Sequence, residues 1–194
     1  MLQQLSTVAV GRAYELLVLA VLRRYSFQLY HSGRRGDGGV DFVGHWALTP
    51  AARLDIVGQC KWRHRTPLNP GEVRELESVV ARMTGPRKTP YSVAGLLASY
   101  SGFSRQAMQT GMNSEVPLIL TQIRPLPPED NYDIIGCKND VIPTGHQSVV
   151  EEESGYIRDF VLNHTAQTLW PNIKVTWRHS RETGRKIDIL VQKT

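Results

Sequence analysis

Cysteine is nearly absent from this chain. Its 194 residues contain two, Cys60 and Cys137, in no CxxC pair and with no Cys/His cluster at zinc spacing. Two thiols cannot staple a domain of this size, so a disulfide scaffold and a zinc module are both set aside, and free thiols in a reducing or neutral compartment are expected. Long apolar runs are missing too. The longest, LLVLAVL at residues 16–22, falls well short of the ~20 residues of a membrane span and reads as part of a core helix, so no membrane partner is expected. The N-terminal residues carry no Arg-rich targeting pattern, which leaves a removed presequence open. The six histidines form no ligand set, and no repeat or extended low-complexity tract is present.

What is there is a globular composition, 41% hydrophobic and 21% charged, enough for one domain with its own core or one with a small addition. The net charge of +5 favours polyanionic partners such as nucleic acid.

Periodicity predicts a helix over 8–25, apolar on most sides except for Glu15. FQLYH (27–31) reads as a strand, SGRRGDGG as a glycine-rich turn, and VDFVGHWAL (40–48) with LDIVGQCKW (54–62) as an antiparallel hairpin. An amphipathic helix follows over 71–83, with Val73, Leu76, Val79, Val80 and Met83 on one face. YSVAGLLASY (91–100) reads as a central strand buried on both faces, SRQAMQTGM (104–112) as a short helix capped by Ser104, and VPLILT (116–121) as another buried strand. Past the proline-rich RPLPPED, a helix is expected from about Gly155 to Trp170, then a basic hairpin of IKVTWRH and RKIDILVQ. The fold class is α/β, a mixed sheet flanked by helices. It divides into a core over 1–124 and a C-terminal extension over 125–194, helix plus basic hairpin, packed on or completing the core.

The chemistry concentrates in two clusters. Side chains on a strand alternate faces, so Gln59 and Lys61 point one way and Cys60 the other. If Asp41 starts the neighbouring strand, one carboxylate, one amide and one ammonium meet at a common sheet end, and Glu15 can add a second carboxylate. A buried Glu15 must otherwise pair with a neighbour such as Arg12 or Lys61, or face outward. This grouping suits phosphodiester hydrolysis. Mg²⁺ or Mn²⁺ takes hard oxygens, here Asp41, Glu15, Gln59 and the Cys60 carbonyl, and a lysine neutralises charge building on phosphate. Arg34, Arg35, Arg63, Arg65 and Ser101, with Arg178 and Arg181 in the terminal hairpin, are the candidate nucleic-acid contacts, against the alternative of solvated loops. Trp62 reads as packing rather than base stacking, and Asp37 as a turn residue.

Three linked clusters, Gly11-Arg-Ala-Tyr-Glu15, Gly36-Asp-Gly-Gly-Val-Asp41 and Gln59-Cys-Lys61, resemble the PD-(D/E)xK nuclease superfamily, and within it the Mrr-type branch, where glutamine often replaces the second acid. VAGLLASYSGFSRQAMQ (93–109) resembles the same branch. The resemblance covers about residues 9–121; the length and the EVRELE helix at 72–77 are similar to the fungal mitochondrial "required for respiratory growth" relatives of Mrr. It implies a restriction-endonuclease-like fold and a Mg²⁺-dependent endonuclease acting on DNA in the mitochondrion. Asp41 is then the metal-binding aspartate, Gln59 the second acidic position, Lys61 the catalytic lysine and Glu15 the helical glutamate. A fold-retaining but weak or inactive binding module, and an RNA-processing nuclease, are the alternative readings. Cutting both strands of a duplex asks for two sites, hence a homodimer.

Overall fold

A computed structural model describes residues 6–32, 39–49, 52–84, 93–126, 155–178 and 186–191. Helix α1 spans Thr7–Arg23; the Ser6 side chain accepts from the Ala9 N–H at its start, and Tyr14, Leu17, Val18, Val21 and Leu22 form its buried stripe. Strands β1 (Phe27–His31), β2 (Phe42–Thr49) and β3 (Ala52–Lys61) form an antiparallel meander. Helix α2 (Pro70–Thr84) carries the chain to β4 (Val93–Ser99), and α3 (Arg105–Met112) carries it to β5 (Leu118–Pro125), both parallel to the strand before. The hydroxyl of Ser104 caps α3, as its position in the sequence suggests. β4 is buried along its whole length, the pattern of a strand covered on both faces.

Two consecutive crossovers of the same hand place α2 and α3 on one face of the sheet. There Val73, Leu76, Val79 and Val80 pack with Val57, Leu97 and Leu120. α1 covers the opposite face, over Phe42, Trp46, Ile56, Leu96 and Phe160. Close approach has one clear device: a side chain at Gly58 would meet the Phe42 ring at 2.1 Å, so Phe42 lies directly on the backbone of β3.

The segment Gly155–Leu162 corrects the expected helix. It is a strand, β6, antiparallel to β5 and the last of six in the order β1-β2-β3-β4-β5-β6. Only after it does the short helix α4 (His164–Leu169) form, capped by Asn163. Strands β7 (Ile173–Arg178) and β8 (Lys186–Val191) make the terminal hairpin and bury Ile173 and Ile187 in the α1-side core. Met83, expected on the apolar face of α2, is exposed near the helix end, whereas Glu72 is buried.

Candidate functional site

β3, β4 and β5 run parallel, so their C-terminal ends, at Lys61, Ser99 and Gln122, share one edge of the sheet. The residue before β2, Asp41, is clamped into that edge by its own backbone. Its N–H donates to the Gly58 carbonyl at 2.9 Å and its carbonyl accepts from the Ser32 N–H at 2.9 Å. Its Oδ2 accepts from the Cys60 N–H at 2.6 Å. Burial raises the Asp41 carboxyl above the ordinary aspartate range. The Cys60 N–H opposes this, Glu15 adds to it, and Lys61 and His31 oppose it again. Asp41 therefore lies within electrostatic reach of Glu15 from α1 and Lys61 from β3.

Glu15 is neither isolated nor turned wholly to solvent. Its Oε2 lies 2.6 Å from His31 Nε2 and 3.5 Å from the Arg12 guanidinium. Of the partners the sequence offers, it thus takes Arg12 rather than Lys61, and adds His31. Gln59 is fully buried and its amide donates to Glu75 Oε1 at 3.4 Å. Lys61 Nζ donates to the other oxygen of the same carboxylate at 3.1 Å. The Cys60 side chain turns the opposite way, onto the α1-side core, and burial pushes its thiol well up, helped by the negative charges of Asp41 and Glu15. The alternation of Gln59, Cys60 and Lys61 is therefore as strand geometry requires.

Among the described residues, no group of three or more His, Cys, Asp or Glu side chains is arranged to hold a metal ion. Magnesium does not need such a group, because it keeps several waters and takes one or two carboxylates. By the chemistry of the donors, hard carboxylate oxygens, Asp41 and Glu15 are the residues that would hold it.

The expected nucleic-acid contacts separate into groups. Arg63 pairs with the buried Glu72, whose Oε2 accepts from the Asn69 N–H at 2.7 Å, so Arg63 braces the start of α2. Arg65 is exposed. The Ser101 hydroxyl donates to the Thr66 carbonyl at 2.7 Å, which ties two loops together. Trp62 packs against Tyr100 and Tyr14, with ring centroids 3.9 and 5.6 Å away, in keeping with a packing role. Arg178 ends β7 opposite Lys186. Arg34, Arg35, Asp37 and Arg181 lie outside the described residues. A shallow groove of about 490 Å³ between α2 and α3, lined by Pro70, Arg74, Gln106, Gln109, Thr110 and Asn113, shares no residue with the Asp41 constellation.

Sequence reasoning missed Glu75 and His31. Nothing in the local pattern of EVRELE marks Glu75, and its side chain stays 44% exposed in the structure. The only signal for it is that the α2 side of β3 is where Gln59 and Lys61 face. The model of a family described as required for respiratory growth protein 7 matches residues 6–55 and 49–170. An uncharacterized protein of Schizosaccharomyces pombe, described as mitochondrial, is 30% identical over 172 residues, which is 88% of this chain and 57% of the relative. The chain thus spans a little over half of that relative's length. No solved structure matches the chain.

Proposed function

The chain belongs to the family described as required for respiratory growth protein 7, and from that premise we propose that it is a metal-dependent endonuclease of the Mrr-type, PD-(D/E)xK kind, hydrolysing phosphodiester bonds in DNA. A mitochondrial location, expected from the resemblance, agrees with the description of its relative. One observation carries the reading. The Cys60 N–H holds the Asp41 carboxylate on β3, between Gln59 and Lys61, at the edge where β3, β4 and β5 end, and Glu15 of α1 meets His31 at the end of β1.

In this mechanism Asp41 and Glu15 would hold the cation, which when bound would supply Lewis acidity toward the phosphate and lower the pKa of an attacking water. The Cys60 N–H fixes the Asp41 carboxylate against β3, so the ligand is oriented before substrate arrives. Lys61 places positive charge where the phosphate gains negative charge, the kind of preorganised stabilisation worth most in a water-poor site. Its side chain is a quarter exposed, which leaves it reachable from solvent.

The test is cleavage of plasmid and branched DNA, with matched RNA in parallel, in Mg²⁺ or Mn²⁺. Wild type is expected to cut and Asp41→Ala to be at least about 100-fold slower. Equal activity of the two, or inertness of both on every substrate, would sink the reading; a preference for RNA would reassign the substrate. A second reading is favoured by neutral Gln59: the fold retained as a nucleic-acid-binding module that no longer cuts. Salt-sensitive binding that survives Lys61→Ala and needs no metal would select it.

A further inference from the structure

Helices α2 and α3 begin side by side at the edge where β3 and β4 end. The loops that lead to them are zipped together: the Leu68 N–H donates to the Gly102 carbonyl and the Ser104 N–H to the Leu68 carbonyl, both at 2.9 Å. Along α3 and its C-cap, Gln106, Gln109, Thr110 and Asn113 recur at i, i+3, i+4 and i+7, so they share one face. The opposite face is pinned to the sheet. Ala107 and Gly111 are buried there, and a Cβ on Gly111 would stand 2.6 Å from Leu120 Cδ1. The amide face is therefore held in one orientation, across the groove of about 490 Å³ from Pro70 and Arg74 of α2.

The two flanks of α2 differ. Toward β3, Glu72 pairs with Arg63 and Glu75 with Lys61. Arg74 lies about 100° round the helix from Glu75, on the groove side. Among the described residues, the side chains of Arg74, Gln106, Gln109, Thr110 and Asn113 take part in no hydrogen bond or ion pair. One cation, three amides and a hydroxyl thus line a concavity with their donors and acceptors unused. No carboxylate lines it, which sets a metal ion aside, and an apolar ligand would leave every lining group without a partner. A nucleotide matches both halves of the set: its phosphate suits the arginine and its base edge suits the amides. The volume lies in the range of about 300–1,000 Å³ typical of small-ligand clefts, so the groove takes individual nucleotides and not a duplex. An extended peptide also offers paired donors and acceptors, but brings no phosphate. The exposed Arg65, in the loop before α2, and the exposed Arg105, first residue of α3, favour the polyanion.

We propose that the α2/α3 groove is a second nucleic-acid site, which takes one or two nucleotides of a single strand: Arg74 holds a phosphate, and Gln109 and Asn113 read base edges. No aromatic ring lines the groove, so the base is held by its edge and not by stacking. The paired donor and acceptor of a Gln or Asn amide match those of adenine, which makes the site selective for adenine. It needs neither a metal nor cleavage, and so does not rest on the nuclease reading.

The experiment is fluorescence anisotropy of the full chain with short labelled oligo(dA), oligo(dT) and duplex DNA, in EDTA so that no strand is cut. Arg74, Gln109 and Asn113 are exposed, and thermal melting of each variant reports its fold. Wild type is expected to bind oligo(dA) about tenfold tighter than oligo(dT). The double variant Gln109→Ala/Asn113→Ala is expected to lose that preference, with oligo(dA) affinity down about tenfold and duplex binding unchanged. Arg74→Ala should weaken both single strands alike and flatten their salt dependence. Wild-type oligo(dA) affinity in the double variant, as a peptide or protein occupant would give, overturns the proposal. So does an equal loss on oligo(dA) and duplex, which would mark a general electrostatic surface. Asp41→Ala separates this site from the proposed nuclease centre, since it should bind oligo(dA) as wild type does. If the chain cuts no DNA in Mg²⁺ but the groove variants lose oligo(dA), the nuclease reading falls and the groove stands. If Asp41→Ala abolishes cutting and the groove variants bind as wild type does, the groove falls alone.

Discussion

Asn163 and Gln59 are both fully buried amides, and they sit at opposite ends of the main sheet. Asn163 spends its side chain on backbone. Its Oδ1 accepts from the N–H groups of Leu118 and Ala166 at 3.0 and 2.9 Å, and its amide donates to the carbonyls of Val116, Gly111 and Ser114 at 2.8, 3.1 and 3.3 Å. Those groups belong to the turn after α3, the start of β5 and the cap of α4, so one residue closes the junction where β6 joins the sheet. Gln59 instead faces a carboxylate from a helix, in the company of a lysine. The contrast separates a polar group that the fold needs from one that the proposed chemistry would use. Backbone partners are fixed by topology, whereas side-chain partners of opposite charge are what a ligand can rearrange.

The largest effect that sharpens this contrast is expected at the structural end. Asn163→Ala would strand several buried backbone groups at once, and chemical denaturation should show a loss of roughly 3–5 kcal/mol. Gln59→Leu, measured the same way, should lose far less; comparable losses at the two positions would erase the distinction. Next comes the functional end. Lys61→Met should slow DNA cleavage about 100-fold, or roughly 2.7 kcal/mol of barrier, with little change in melting temperature, because the residue is partly exposed and its ion pair is screened. A large stability loss there would mark Lys61 as structural. Gly39→Ala must hold a left-handed backbone, and chemical denaturation is expected to show a loss of about 1–2 kcal/mol of stability.

The smallest effect is at Asp41. Its carboxyl is raised in the folded state, chiefly by burial, so the folded chain binds that proton more tightly than the unfolded chain does. Stability therefore falls as pH rises through the window between the unfolded value and the raised folded one, and stays lowered above it. Without metal, Asp41→Asn should melt slightly higher than wild type at neutral pH, and the gain should vanish below the ordinary aspartate range, where wild type is protonated in both states. A gain that persists in acid would mean that charge is not its source.

Much of the architecture could be read from local pattern. The α1 stripe, the hairpin around residue 50, the fully apolar β4 and the Ser104 cap each follow from neighbours a few residues away. The segment Gly155–Leu162 did not follow because its alternation is broken. Gly155, Ile157, Phe160 and Leu162 are the buried positions, and the shift between Ile157 and Phe160 accompanies an irregularity in the β5 pairing at Gln122/Ile123. That three-residue step imitates a helical period. At the site, Asp41 and Gln59-Cys-Lys61 stood out because glycines and acids punctuate strands there. Glu75 and His31 did not, since each acquires its partner only when a helix and a strand are laid side by side.

Cys60 lies between the two site residues of β3, with its thiol turned onto the core under α1 and held protonated by burial and by the carboxylates nearby. A thiol in that state is a poor nucleophile toward peroxides and alkylating agents. The expected consequence is slow modification of this thiol: the strand that presents Gln59 and Lys61 on one face carries its sulfur on the other, packed against the α1-side core.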